Sequence, residues 1–338
     1  MTNPAPTAVP RDDVFAREIR PLLFPDGDDR NTDPVFVLLS GQPGSGVGRA
    51  TGRLRAELGG DAAVLSAELL RPFHPRFAEA SASGSMESSR ELSEATAEWL
   101  RAGMRFAREH HRSLILEGSF ANPATALGLV QRFRTDGFAT RVVVVAARRA
   151  ESLLSTVSGY LRAVEAGRAG GLVSREIHDQ GFAGTGALAA AAEKSDAVDR
   201  VTVLDRVGAA AFDAVRTGVD RPFQGAAAAL RAAQSQRLSS LESAQWLSEL
   251  RRVTEFAATL RNVPRPVTEV LIDLHETALR EIIPELPVPS GSRVVAAQEH
   301  RSASDLVTLR KLLVAERPVD ATGPVVVPAG PEHGGPSR

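Results

Sequence analysis

The chain has 338 residues, 43% of them apolar, which suffices for one large domain with appendages or for two domains. A formal net charge of −1 gives no ground for a nucleic-acid or anionic-membrane partner, and no run reaches the ~18 apolar residues of a membrane span. Cysteine is absent, which excludes disulfides, thiolate nucleophiles and cysteine metal sites; with no signal-like start, a cytoplasmic protein is expected.

Residues 1–11 and 318–338 are rich in Pro, Gly and small side chains and are expected to be disordered. Asp12 to Phe24 reads as a helix, closed by Pro25 and the polar stretch from Asp26 to Asp33. Strand-like runs follow at Val35–Ser40, Ala62–Ser66, Ser113–Glu117, Thr140–Ala147 and Arg200–Leu204. Helical patterns separate them at Gly48–Leu58, Ser89–His110, Pro123–Asp136, Ala150–Ala166 and Arg175–Glu193. This alternation predicts an α/β fold, a P-loop NTPase-like parallel sheet covered by helices on both faces. From about Pro222 only helical patterns remain. Gln224 to Leu260 is one long amphipathic stretch anchored by Trp246 and Phe256; Val267–Ile283 and Ser302–Ala315 follow. The division expected is a sheet-containing unit at 12–215 and a helical extension at 222–317. The extension reads as an accessory layer, with a binding module as the alternative.

The segment from Val35 to Thr51, VFVLLSGQPGSGVGRAT, carries the chemistry. A β-branched run enters a glycine-rich turn that opens into a helix, and Gly41 to Gly46 supply the glycine frame of G-x-x-x-x-G-K-[ST]. Val47 stands where that pattern has lysine, and Gly48 where it has the magnesium-binding hydroxyl. The first lysine in the chain is Lys194, and Arg49, the nearest cation in sequence, falls two places late. The amides of Gly44, Ser45, Gly46, Val47 and Gly48, backed by the helix dipole, would still favour an anion. A ligand-free strand-to-helix turn is the bland alternative. A dinucleotide fold fits less well, because Gly46, Gly48 and Thr51 fail the last place of G-x-G-x-x-G.

Four segments in order, LSGQPGSGVG at 39–48, LLRPFHPRF at 69–77, LILEGSFANP at 114–123 and VSREIHDQGFAG at 173–184, resemble the zeta-toxin family of P-loop kinases. The resemblance spans about residues 12 to 215. It implies ATP and Mg2+ as cofactors and transfer of the γ-phosphate to a sugar hydroxyl of UDP-N-acetylglucosamine, a nucleotide-sugar substrate, with an antitoxin as protein partner. The family's catalytic aspartate falls on Ser66, and its second acidic place holds Glu68. Two phosphate-stabilising arginines fall on Gly159 and Gly171. Arg71, His74, Pro75, Glu117, Gly118, His178 and Asp179 survive.

Glu68 and Glu117 are the carboxylates left to serve as base, since a serine at 66 can orient a hydroxyl but deprotonates it poorly. Glu117 ends an apolar strand at the expected crevice, as a substrate contact or a structural cap. Arg71 is a candidate for a phosphate or sugar group, or for neutralising Glu68. His74 reads as a loop-shaping residue with substrate contact as the alternative. Neighbouring side chains splay on a helix, so His178 and Asp179 are expected in packing or a salt bridge rather than in a dyad. His110, His111 and Arg112 read as a solvated helix end, and no spacing suggests zinc. Val47, Gly159 and Gly171 together remove three positive charges from a chemistry that depends on them. The expectation is therefore a catalytically impaired member with residual nucleotide or nucleotide-sugar binding. An active phosphotransferase with relocated residues and a non-catalytic interaction scaffold are the alternatives.

Overall fold

A computed structural model describes residues 11–25, 31–79, 86–168, 171–218, 222–289 and 291–315. Most of the two termini expected to be disordered lie outside these residues.

The first helix, α1, runs over Arg11–Val14, a π-helical turn Phe15–Ile19, and Arg20–Leu23. Strand β1 (Val35–Ser40) leads through the glycine loop into α2 (Val47–Glu57). β2 (Ala63–Ser66) ends in a single turn, Ala67–Leu70, capped by the Ser66 hydroxyl, which accepts from the Leu69 amide at 3.1 Å. Then follow α3 (Met86–Glu109), β3 (Leu114–Gly118), α4 (Pro123–Thr135), β4 (Ala139–Ala146), α5 (Arg149–Glu165) and α6 (Arg175–Lys194). Asn122 caps α4 and Ser174 caps α6, as short polar side chains do when they satisfy free amides.

The six strands stand in the order β2-β3-β1-β4-β5-β6, with β5 at Arg200–Asp205 and β6 at Ala210–Val215. The first five pair in parallel. Alternation along the strands divides the core. Phe36, Leu38, Leu65, Leu114, Val142 and Val144 face one side with Trp99 and Phe133, whereas Val37, Leu39, Ile115, Val143 and Val145 face the other with Ala50 and Leu54 of α2.

Two features depart from the expected pattern. β6 pairs antiparallel with β5, so the sheet is mostly parallel with an antiparallel edge. The hairpin is made by Asp205, whose carboxylate accepts from the Val207 and Ala209 amides at 3.0 and 2.7 Å. β6 is alanine-rich and half exposed, so its sequence lacks the β-branched run of a buried strand. The stretch from Gln224 to Leu260 is two helices, α7 (Ala226–Ser235) and α8 (Ser240–Thr259), separated at 236–239. A capping box between Ser239 and Glu242 starts the second. α7 packs into the sheet's own core through Ala226, Ala227 and Leu230.

The remaining helices are α9 (Arg265–Thr277), extended by a π-helical turn at Ala278–Ile282, and α10 (Arg293–Ala315). α8, α9 and α10 share a separate core with α5, where Leu153, Val157 and Leu161 meet Trp246, Leu250, Leu271 and Leu274. Trp246 also donates from its indole nitrogen to the Ala150 carbonyl at 3.1 Å. The helical layer is thus anchored on α5. Among the described residues no helix is long and apolar enough to cross a membrane.

Candidate functional site, a phosphate-type loop

The loop leaves the carboxyl end of β1, the central strand, where open α/β sheets bind ligands. Gly44 and Gly46 have φ of 77° and 99°, a region that side chains with a Cβ rarely adopt. Space enforces the same choice. A Cβ on Gly44 would run into the Ser152 carbonyl oxygen and lie 3.1 Å from the Ser155 Cβ, and one on Gly46 would lie 2.9 Å from the Arg206 carbonyl oxygen. The loop is therefore packed between α5 and the β5–β6 turn. It is closed internally by the Ser45 amide on the Gln42 carbonyl at 3.0 Å, and the Ser119 hydroxyl donates to the Gly41 carbonyl at 2.7 Å.

Ser40, Gln42 and Ser45 are fully buried here, and Ser40 Oγ, Gln42 Oε1 and Ser45 Oγ have no hydrogen-bond partner. Leaving a buried polar atom unmade costs about 1–3 kcal/mol each, so three around one loop mark a locally costly conformation, with the atoms themselves covered by protein. A backbone cradle with serine hydroxyls at the start of a helix fits the phosphates of ATP. It fits Mg2+ poorly. Gly48 carries no side chain, and the nearest hydroxyl, Thr51, is held by the Val47 carbonyl at 3.1 Å and by Glu117.

Thr51 and Glu117 form a buried contact between α2 and the end of β3. One hydroxyl proton cannot serve two acceptors fully, so Thr51 shares its single donor between the Val47 carbonyl and the Glu117 carboxylate. Burial pushes the Glu117 carboxyl up, Thr51 opposes this, and the Glu68 charge adds to it. Ser66 lies at the adjacent strand end, and its hydroxyl is committed to capping the Ala67–Leu70 turn. Arg71 is exposed and makes no ion pair with Glu68 among the described residues. His74 is buried against Trp99, and its Nδ1 accepts the Arg76 amide at 3.3 Å.

Arg49 is exposed on α2 and makes no side-chain ion pair among the described residues. Gly159 lies one and two turns beyond Ser155 and Ser152 on the loop-facing side of α5, and a Cβ there meets open space, as it does at Gly171. Val47, the lysine position, sends its side chain toward Gly41. His111, with φ 49°, ends the helical hydrogen bonding after α3 beside His110. No group of three or more His, Asp or Glu side chains is placed to hold a metal among the described residues.

His178 and Asp179 stand in packing and a salt bridge as expected, but the expectation that they splay apart is corrected. His178 Nδ1 lies 3.1 Å from Asp179 Oδ1, and its Nε2 lies 2.8 Å from the Ser152 hydroxyl. Arg149 causes this, because its bidentate bond to Asp179 at 2.8 Å on each arm turns that carboxylate toward the histidine. The same guanidinium reaches Asp273 of α9 at 2.6 Å, and Ser152 accepts from Gln42 Nε2 at 3.3 Å. A hydrogen-bonded chain therefore runs from the loop through Gln42, Ser152, His178, Asp179 and Arg149 to the helical layer. Burial holds the His178 imidazole below its ordinary pKa, against the pull of Asp179. Ser152 and His178 are fully buried, so this is a supporting array and not an open nucleophile.

Gln42, Arg149, Ser152, Arg206 and Asp273 escaped the sequence reading. Arg206 had a legible signal, since it follows directly on the carboxyl end of β5. The others depend on pairings distant in sequence, from 26 residues between Ser152 and His178 to 124 between Arg149 and Asp273.

The profile of the family described as zeta toxin matches residues 26–216, more than half of the chain. The chain belongs to the zeta toxin family. A solved structure of the PezAT chromosomal toxin–antitoxin system of Streptococcus pneumoniae aligns with TM-score 0.62 and 17% identity, covering 73% of this chain and 96% of that one. At that identity the likeness speaks for the fold. The AvrRxo1-ORF1:AvrRxo1-ORF2 complex with sulphate ions matches more loosely, at TM-score 0.48 and 12% identity over 86% of this chain and 88% of that one. Among curated proteins none matches the sequence.

Proposed function

We propose that this zeta-toxin-family protein binds the phosphates of a nucleotide at Gly41–Gly48 and is impaired in transferring them. One observation carries the reading. The loop keeps its left-handed glycines and opens into α2, while the positions for lysine, magnesium hydroxyl and aspartate hold Val47, Gly48 and Ser66. Backbone amides bind an anion without a side-chain charge, but phosphoryl transfer needs positive charge around the moving oxygens and a carboxylate on the acceptor hydroxyl. In this reading Gly44, Ser45, Gly46, Val47 and Gly48 supply the cradle and Arg49 stands at its rim. Arg71, His74 and Glu117 flank the acceptor side, where a nucleotide sugar would lie. The kinase-fold unit is residues 12–215 together with α7, which packs into the sheet's core, and α8 to α10 form its helical extension, with a protein partner of the antitoxin kind.

The test is turnover of UDP-N-acetylglucosamine with ATP and Mg2+ by purified protein. Phosphorylated product at no more than the heat-killed level, beside measurable ATP binding, is expected. Turnover in the ~1–100 s⁻¹ range of working kinases would overturn impairment. A second reading, an active phosphotransferase, draws on the two remaining carboxylates, Glu68 and Glu117, and on the raised Glu117 carboxyl. It requires that Glu117→Gln or Glu68→Gln abolish such turnover.

A further inference from the structure

Arg206 is the cation that the β5–β6 turn lays along the glycine loop. Its Cγ would be 3.4 Å from a Cβ on Gly46, the residue before Val47. From there the side chain reaches α5, where Nη2 donates to the Ser155 hydroxyl and Nη1 lies 3.3 Å from Glu151. Ser155 is itself the residue whose Cβ stands 3.1 Å from the Cβ position of Gly44. The guanidinium is thus held beside the loop between its two left-handed glycines.

The turn that carries it is fixed from three directions. Asp205 accepts its two amides, Arg53 of α2 donates to the Gly208 carbonyl, and the Arg206 carbonyl closes on Gly46. The side chain is about a third exposed, at 31%, so solvent or a ligand reaches the group. A guanidinium has five donors, and Glu151 and Ser155 engage only part of that fork. Lysine and arginine both bind phosphate, and a guanidinium does so from a fixed planar fork rather than as a mobile point charge.

We propose that Arg206 supplies the phosphate-binding charge that Val47 cannot, and that Glu151 moderates it. This rests on the nucleotide-binding reading above and deepens it. With the loop empty, Arg206 is neutralised by Glu151; a polyphosphate at the loop gives it a second, competing anion. Glu151 and Ser155 therefore act as positioning residues and Arg206 as a phosphate ligand.

The experiment titrates full-length protein with ATP–Mg2+ and, separately, with inorganic triphosphate, comparing wild type with Arg206→Ala, Glu151→Gln and Arg206→Ala combined with Val47→Lys. Arg206→Ala is expected to weaken both ligands roughly ten- to a hundredfold, the scale of a charge-assisted hydrogen bond. Glu151→Gln should strengthen both several-fold, a direction that loss of a mere tether would not produce. Val47→Lys should restore affinity to the Arg206→Ala protein. Unchanged binding in Arg206→Ala overturns the proposal and leaves nucleotide binding standing. Loss of ATP with triphosphate unaffected also overturns it, because the arginine would then serve the base. Binding of neither ligand by wild type overturns both this proposal and the reading beneath it. If Arg206→Ala does not fold, Glu151→Gln decides alone, its unchanged affinity counting against the proposal.

Discussion

The glycine loop and the Arg149 network lie a few residues apart, meet at Gln42 and Ser152, and are opposites in their polar accounting. Around the loop, Ser40, Gln42 and Ser45 leave oxygen atoms buried and unpartnered. In the network, Arg149 is shared between Asp179 and Asp273, and Asp179 also holds His178. Burial drives the Asp179 carboxyl up, but the bonds from Arg149 and His178 win and hold it below the ordinary range. Satisfied charge is structural material, whereas a glycine loop opening into a helix at the crevice of a sheet is a place that favours an anion. The difference assigns the two regions their roles, the one fixing the loop's shape and the other receiving what binds there.

The comparison can be broken most forcefully at Arg149. Arg149→Ala leaves two carboxylates without their shared cation at the junction of α5, α6 and α9; with Arg149 and Asp179 about a third or more exposed, solvent screening limits the expected loss to about 2 kcal/mol, read by denaturant unfolding. A loss below 1 kcal/mol would show that the network is not structural. Gly44→Ala comes next. Strain at positive φ together with the Ser152 carbonyl predicts a loss of about 2 kcal/mol and weakened nucleotide binding, measured by thermal unfolding and titration. Unimpaired binding would mean that the loop conformation is not what the ligand uses.

Glu117→Gln gives a smaller, pH-dependent effect. The folded protein raises the Glu117 pKa, so its contribution is present below the unfolded value near pH 4 and is lost as pH rises through the folded value. The glutamine variant should therefore melt above wild type at pH 7, with the gap closing toward pH 4. A gap that widens on acidification would contradict the buried, protonation-favouring site. Ser45→Ala should have the least effect on stability, neutral or slightly stabilising, because the hydroxyl has no partner to lose. Its effect should appear as a several-fold loss in phosphate affinity, and unchanged affinity would separate that hydroxyl from the ligand.

Much of the fold was legible because local signals agreed with it. Alternating strand and helix runs and the glycine frame lie within short windows. β6 escaped because half-exposed alanines carry no strand period, and the α7–α8 break because apolar spacing continues across 236–239. In the site, Gly44 and Gly46 were readable from a motif, as were the missing lysine and hydroxyl. The bond between Thr51 and Glu117 was not, because it joins residues 66 apart across the sheet. Arg206 carried only its position after β5 as a signal, which did not stand out in a chain where arginines are so common. The His178–Asp179 pair misled for a physical reason. The splaying of helix neighbours holds until an outside charge, here Arg149, pulls one of them round.

Calorimetric titration of the full-length protein with ATP and Mg2+ tests the central claim most directly. The account predicts saturable heat from one site, retained without an acceptor sugar and without turnover. No heat across a concentration range that saturates working kinases would contradict it, leaving the loop as a turn that takes no nucleotide.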